Sequence, residues 1–353
     1  MNYYEALSGS SRLLIEVPLT PIQGQRFQPT GFPDLGAANY TLPDGTEKLL
    51  VESPQSMANR LEITLWDEVA NNLVEPWRGL PFIQVLHKDT KQIITNSILE
   101  AHRLNSPYIL EGGDTDFTKR LKDELQEAFV SGPDGPIGAI NLNQVAKIVF
   151  KYDPNCLIHG LFIAKKDMGS GRVRVPRLLS AFIDASDVRP VESGGVKNDR
   201  INPSGDTKTG YGNVPFHRTE YVADSITAFF NIDLAQLRGY GLGSDAEGLL
   251  LTLSLWKIRK FLEAGLKLRT ACDLRPKYDV DNIAATSPEG FDVPIIADLE
   301  KNAVVLLKNC MSQFSSPSVT NVVWDPAIAK KSKKAKEGGD ESTDETVDKE
   351  VGD

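Results

Sequence analysis

The chain has 353 residues, 41% apolar and 25% charged, ordinary values for a globular protein with room for one large domain or two. Its net charge is -9, and its three cysteines, Cys156, Cys272 and Cys310, stand far apart. This excludes a uniformly basic nucleic-acid binder and a disulfide-stapled secreted domain. No apolar run approaches the roughly 18 residues of a membrane span, and the start of the chain lacks a basic segment followed by an apolar one, so the expected compartment is the cytoplasm, with no membrane partner.

Strand-like Arg12–Thr20 opens the order of elements, with Pro18 favouring an edge or a bulge. Residues 25–36 hold Pro29, Gly31, Pro33 and Gly36 and read as a loop. A helix is expected over 54–72, with Ser53 as N-cap, Pro54 at the first helical position, and Met57, Leu61, Leu65 and Val69 as its apolar stripe. Phe82–Leu86 and Gln92–Ile94 are short strands. Asp114–Val130 is an amphipathic helix on Phe117, Leu121, Leu125 and Phe129, and residues 131–136 form a loop.

Leu142–Phe150 reads as a short helix that ends near Asp153-Pro154. Leu157–Ala164 and Arg177–Ile183 read as strands. Residues 190–213 contain seven Gly or Pro and read as a hairpin or loop insertion. Val214–Phe230 returns to strand composition. Asp245–Leu266 is the longest helical run, basic at its far end through Lys257, Arg259 and Lys260, and Asp298–Met311 is the last helix. Residues 330–336 carry five Lys, and 337–353 carry eight acids and one Lys, a composition that predicts a disordered tail. The whole fits an α+β class of sheet and helices over 1–329, followed by the tail 330–353.

Charge is uneven along the chain. Residues 147–279 hold 20 Lys and Arg against 15 Asp and Glu, while the flanking stretches are acidic. A basic middle permits a groove for a polyanion, and it equally fits a solvated surface. The loop 25–36 mixes planar side chains (Arg26, Phe27, Phe32) with amides and hydroxyls (Gln25, Gln28, Thr30), a set that stacks on bases and bonds phosphate or ribose. The same phenylalanines could instead anchor the loop to the core. Gln55, Ser56, Asn59 and Arg60 fall in the first turns of a helix, where free N–H groups and the helix dipole favour an anion. An ordinary cap with exposed polar neighbours has the same pattern.

These two segments resemble the backbone subunit of type I-G (formerly I-U) CRISPR Cascade complexes. So do Glu100–Tyr108, Gly194–Asp199, Gly212–Glu220 and Leu268–Leu274, and the likeness runs from about Arg12 to Trp324. The resemblance implies a modified RRM-like (ferredoxin-like) palm with inserted finger and thumb segments, with 190–213 as the candidate thumb and 104–140 as an alternative place for it. It implies a non-catalytic protein that binds CRISPR RNA (crRNA) without a cofactor or metal. Its partners would be the crRNA, the target DNA strand, further copies of itself in a filament, a crRNA-processing subunit and a large Cascade subunit.

On this reading the helix start and Arg60 hold a phosphate, with Gln55 and Ser56 on phosphate or ribose. The family often shows a basic pair after this stretch; here it is Asn59-Arg60, one charge fewer. Gln25, Arg26, Gln28 and Thr30 contact the RNA backbone. Lys197, Asn198, Arg200 and Lys208, together with Tyr211, lie in the thumb, which in this family wedges between nucleotides. Arg172, Arg174 and Arg177 alternate along strand-like residues and could line a groove. His217 and Arg218 follow a proline turn and could reach the same groove; His102 and Arg103 are further candidates.

Enzyme signatures are absent from the sequence: there is no phosphate-binding Gly-Lys-Ser/Thr loop, no Gly-x-Ser-x-Gly elbow and no His-Glu-x-x-His helix. Cys156 and His159 lack a second pair at zinc-ligand spacing. The alternative is a metal-dependent RNA-cleaving subunit using a loop aspartate, Asp199 or Asp206, both of which equally suit turn chemistry.

Overall fold

The computed structural model describes residues 3–328, except 33, 34, 133, 134, 138, 166, 167 and 169–172. The tail expected at 330–353 lies outside the described residues. The main elements in the first third are β1 (Arg12–Pro21), β2 (Asn39–Thr41), β3 (Glu47–Glu52), α1 (Pro54–Ile63), β4 (Phe82–His87), β5 (Ile93–Asn96) and α2 (Thr115–Gln126). There follow α3 (Leu142–Tyr152), β6 (Leu161–Ile163), β7 (Val173–Val175), β8 (Leu179–Ser186), β9 (Arg189–Lys197), β10 (Val214–Val222) and β11 (Ser225–Asp233). The last are α4 (Ser244–Glu263), β12 (Leu266–Arg269), β13 (Cys272–Pro276), α5 (Ile296–Cys310) and β14 (Val319–Trp324). The class is α+β. The described residues fall into two compact units: Met1–Arg78 with Arg177–Met311, and Gly79–Pro176 with the residues from Ser312 onward.

The sheet of the first unit runs β12-β13-β1-β11-β8-β3-β2, with antiparallel neighbours throughout. Side chains alternate across it as the strand period requires. Leu13, Ile15, Val17 and Leu19 of β1, Ala181 and Ile183 of β8, and Ala228 and Phe230 of β11 are all buried. Each large apolar side chain so buried contributes about 1.5–3 kcal/mol. Helix α1 packs on β8 and α4, and α4 packs on β11 and α5. β1 is interior, and the register explains how it accommodates Pro18. The even residues of β1 turn their backbone groups toward β13, and β13 has ended there, so no ladder partner loses a donor. The Pro18 carbonyl instead accepts from Lys277 N–H at 2.8 Å.

Helix α1 starts as expected, with Ser53 Oγ accepting from Ser56 N–H, and stops at Ile63 rather than at 72. Leu65 is buried but Val69 is 99% exposed. Asp67 Oδ1 accepts from Val69 and Ala70 N–H at 2.9 and 3.0 Å, an Asx turn in the short hairpin that pairs Trp66–Asp67 with Asn72–Leu73 beyond the helix. Helix α4 is buried nearly all round, so its expected basic end is interior: Lys257 and Arg259 are both buried. Arg259 Nε donates to Pro294 O at 2.9 Å and Nη2 to Val293 O; burial lowers its pKa from the usual guanidinium range.

In the second unit β14 lies parallel to β4, whose other edge pairs with β5. Asp114 caps α2 by accepting from Phe117 N–H at 2.9 Å, and Phe117 meets Tyr152 of α3 edge-on at 5.4 Å. The strand expected over Leu157–Ala164 is a short helix, Asn155–His159, followed by β6. Asp153 Oδ1 accepts from Asn155 N–H at 3.0 Å and turns the chain there. Most of the loop expected at 131–136 is instead paired as a short hairpin, Val130–Gly132 with Gly135–Ile137.

Candidate functional site

The segment from Gln25 to Thr30 leaves β1 as a loop that is stitched into place by backbone bonds. Phe27 is 1% exposed, so it anchors the loop and does not present its ring to a base. Its N–H donates to Tyr221 O, and Tyr221 N–H donates to Phe27 O, both at 2.9 Å. Gln28 N–H donates to Ala271 O at 2.8 Å, and Thr30 N–H to Val51 O at 2.9 Å. The loop thus joins three places far apart in sequence: the end of β10, the turn after β12 and the end of β3.

Two buried glutamates sit at the ends of this segment, and each takes two arginines. Glu220 Oε2 meets Arg26 Nη1 at 3.1 Å, and its Oε1 meets Arg218 Nη2 at 2.9 Å. Glu52 Oε1 lies 3.4 Å from Arg60 Nε, and its Oε2 pairs with Arg269 Nη2. Arg269 Nη1 also donates to Gln28 O at 3.0 Å and to Val51 O at 3.1 Å, tying the loop to β3. Four guanidinium groups on two carboxylates leave positive charge in excess around the loop. Burial pushes the nearby Cys272 thiol up to about 11, although Arg269 pulls the other way.

Between loop and β10 lies an open polar cleft of about 690 Å³, lined by Gln28–Gly31, Gly36, Ala37, Thr219, Tyr221 and Arg269. A Cβ on Gly31 would come within 2.9 Å of Gly36 O, so the close approach of these two backbones needs glycine. Thr219 and Tyr221 line the cleft. By strand alternation Arg218 and Glu220 lie on the other side of β10.

Strands β9 and β10 pair over nine positions, from Arg189↔Val222 to Lys197↔Val214, as a two-stranded arm. The insertion expected at 190–213 is this arm and its tip. Lys197, Asn198, Arg200 and Lys208 are exposed there, as is Tyr211. Asp199 builds the tip: Oδ1 accepts from Ile201 and Asn202 N–H at 2.8 and 3.0 Å, and Oδ2 accepts from Gly212 N–H at 2.9 Å. Those backbone donors hold its pKa below the ordinary aspartate value. Gly212 has φ +84°, and a Cβ there would lie 2.1 Å from Gly205 O. Asp206 accepts from Lys208 N–H at 2.9 Å, again as a turn former.

The remaining sequence-read residues are scattered. Gln55 and Asn59 are exposed and Ser56 is half-buried on α1, and none of the three lines the cleft. Pro54 has no N–H, Ser56 N–H is taken by Ser53 Oγ, and Met57 N–H by Ser53 O, so the helix start has little left for an anion. Arg60 is bound within the protein: beyond Glu52 it donates to Leu268 O. Gln25 is exposed beside Arg26. His217 pairs with Glu192 on the arm at 2.5 Å. Arg174 belongs to the second unit, stacked 4.7 Å above the Phe162 ring across the β6/β7 hairpin. Arg172 lies outside the described residues. Arg177 donates to Pro54 O at 3.2 Å. Arg103 donates to Gly160 O at 3.2 Å, a contact internal to the second unit.

Of the sequence-read residues the structure joins Arg26 and Arg218 on Glu220 and sets Gln28 and Thr30 in the cleft; sequence reasoning missed the acids Glu52 and Glu220, and Arg269. Among the described residues no helix is long and apolar enough to cross a membrane.

Comparison with known proteins adds the following. Residues 13–190 match the family model described as CRISPR-associated protein GSU0053. Among solved structures the chain is similar to one titled "CRISPR RNA-guided surveillance complex, pre-nicking", at 15% identity and a TM-score of 0.39, over 75% of this chain and 74% of that one. No curated protein matches it.

Proposed function

This chain belongs to the CRISPR-associated protein GSU0053 family, and from that premise we propose that it is a non-catalytic crRNA-binding backbone subunit of a type I-G Cascade complex. Copies polymerise along the spacer part of the crRNA in the cytoplasm and leave its bases free to pair with a target DNA strand. Sequence is then read by the guide, and the protein needs only phosphate, ribose and shape. A crRNA-processing subunit and a large Cascade subunit complete the assembly.

The observation that carries this reading is the joining of the loop at 25–30 to the root of the arm, with arginines in excess of the acids they meet. A polyanion backbone laid there meets positive charge, amides and hydroxyls from segments nearly two hundred residues apart. The strand order β13-β1-β11-β8, connected in the chain through α1 and α4, supports an RRM-like (ferredoxin-like) palm, since it is the arrangement of a split βαβ fold. The β9/β10 arm takes the place of the thumb. Asp199 and Asp206 hold their own turns, which favours the non-catalytic reading over RNA cleavage.

The test is purification from cells that carry a CRISPR array and the partner subunits, followed by sequencing of bound nucleic acid. The proposal expects RNA of spacer sequence with uniform ends. Protein free of RNA in the presence of those partners contradicts it.

A further inference from the structure

Two arginines that share one carboxylate are a different object from two independent basic residues. Arg26 is 57% exposed and Arg218 33%, whereas the Glu220 side chain between them is 4% exposed. Each arginine uses one terminal nitrogen on one oxygen of that carboxylate, at 3.1 and 2.9 Å. Both guanidinium groups are therefore held within hydrogen-bond reach of one carboxyl group. Without the acid, two like charges at that separation repel and the side chains part. With it, the group keeps a surplus of one positive charge; Arg26 retains four of its five N–H donors, and Arg218 keeps only those of its terminal nitrogens not used on Glu220. Arg218 Nε is buried and has no hydrogen-bond partner in the structure.

The backbone around the pair is cross-linked. Arg26 is fixed through the neighbouring Phe27, whose backbone pairs with Tyr221, and Tyr221 directly follows Glu220. The backbones that carry Arg26 and Glu220 are thus joined one residue away from each.

We infer that Arg26 and Arg218 form a single fork for one phosphodiester of single-stranded RNA, and that Glu220 is the positioning residue that sets it. This rests on the RNA-binding reading above and deepens it. A buried acid at the edge of an RNA site would then support binding, against what its charge alone implies.

The experiment is fluorescence anisotropy of a labelled single-stranded RNA with the full chain, over a range of KCl, for the wild type, Arg26→Ala, Arg218→Ala, their double variant and Glu220→Gln. Thermal melting of each accompanies it. One fork on one phosphate predicts that either single substitution weakens binding roughly tenfold or more, as loss of a charge-assisted bond does. The double variant should be no worse than about twofold beyond the weaker single, and its salt slope should fall by about 0.7, the value for one phosphate. Glu220→Gln should bind RNA more weakly than wild type although it is less acidic.

Tighter or unchanged binding by a folded Glu220→Gln overturns the positioning role. Losses that multiply in the double variant, with a slope change of about 1.4, overturn the shared phosphate. If Glu220→Gln does not fold, the arginine cycle decides on its own. A wild-type chain that binds no RNA removes the functional reading and this inference together, whereas the other two failures leave that reading standing.

Discussion

Phe27 separates two accounts of the loop, because the same ring can be an anchor or a stacking platform. It is 1% exposed, and truncating a ring so buried costs about 3–5 kcal/mol. It sits in a unit of roughly two hundred residues, where each kcal/mol moves Tm by about 2–4 °C. Phe27→Ala should therefore lower the melting temperature of that unit by roughly 6–20 °C. Phe27→Leu keeps most of the volume and should cost less than about 1.5 kcal/mol. The two accounts part on RNA affinity. A ring stacked on a base is worth about 1–3 kcal/mol, so its loss in the leucine variant would weaken binding roughly five- to 150-fold. An anchor predicts that Phe27→Leu binds RNA within about twofold of wild type, since leucine still fills the site. Calorimetry paired with anisotropy on the same samples measures both. An alanine variant that melts like wild type, or a leucine variant that loses RNA more than about fivefold, refutes the anchoring argument.

Other predictions follow from the same geometry. The three thiols are buried, with Cys272 and Cys310 pushed by burial up to about 11 and 12 and Cys156 raised well above its usual value, so native protein should resist alkylation at neutral pH; rapid labelling of any of them contradicts the packing. Asp199 has a folded pKa below its ordinary 3.8, so the order it lends the arm tip is full above that value and is lost as pH falls through the lower folded one. The Ile201 and Gly212 amides should keep their exchange protection down to about pH 4 and lose it below; loss already near neutral pH would contradict the role of Asp199. Replacing 198–213 by Asn-Gly should leave the melting temperature within roughly 2 °C, because the tip bonds recorded for Asp199 and Asp206 are internal to it, and should weaken RNA binding through loss of Asn198, Arg200 and Lys208. A large drop in melting temperature would show that the tip braces the core.

Part of this was legible in the sequence because it is local. Ser53-Pro54 announces a helix start within three residues, and Phe117, Leu121 and Leu125 mark one face of α2 by spacing alone. The glycine-rich interval at 190–213 announces an insertion. What escaped depends on contacts across the chain. Nothing near Glu52 or Glu220 says that each is interior and takes two arginines, one of them some two hundred residues away. Arg269 lies inside a run that resembled the family, yet only the fold shows it bonding Gln28 and Val51. Arg60 looked like a phosphate ligand through the family resemblance; here the acid that ends β3 pairs with it. Lys257 and Arg259 gave α4 a basic end in the sequence, and periodicity does not reveal that the helix is wrapped on all sides there. Helix α1 stops short of its expected end: Leu65 continues the apolar stripe in the sequence, but the chain leaves the helix after Ile63 and turns at Asp67.

Copies of this chain lining up along one RNA are the core of the proposed function. Complexes assembled in cells on two crRNAs, one with a longer spacer, should be weighed by native mass spectrometry. The longer RNA should carry more copies, added in whole-protomer steps, with the other subunits unchanged in number. One copy on both RNAs would contradict it.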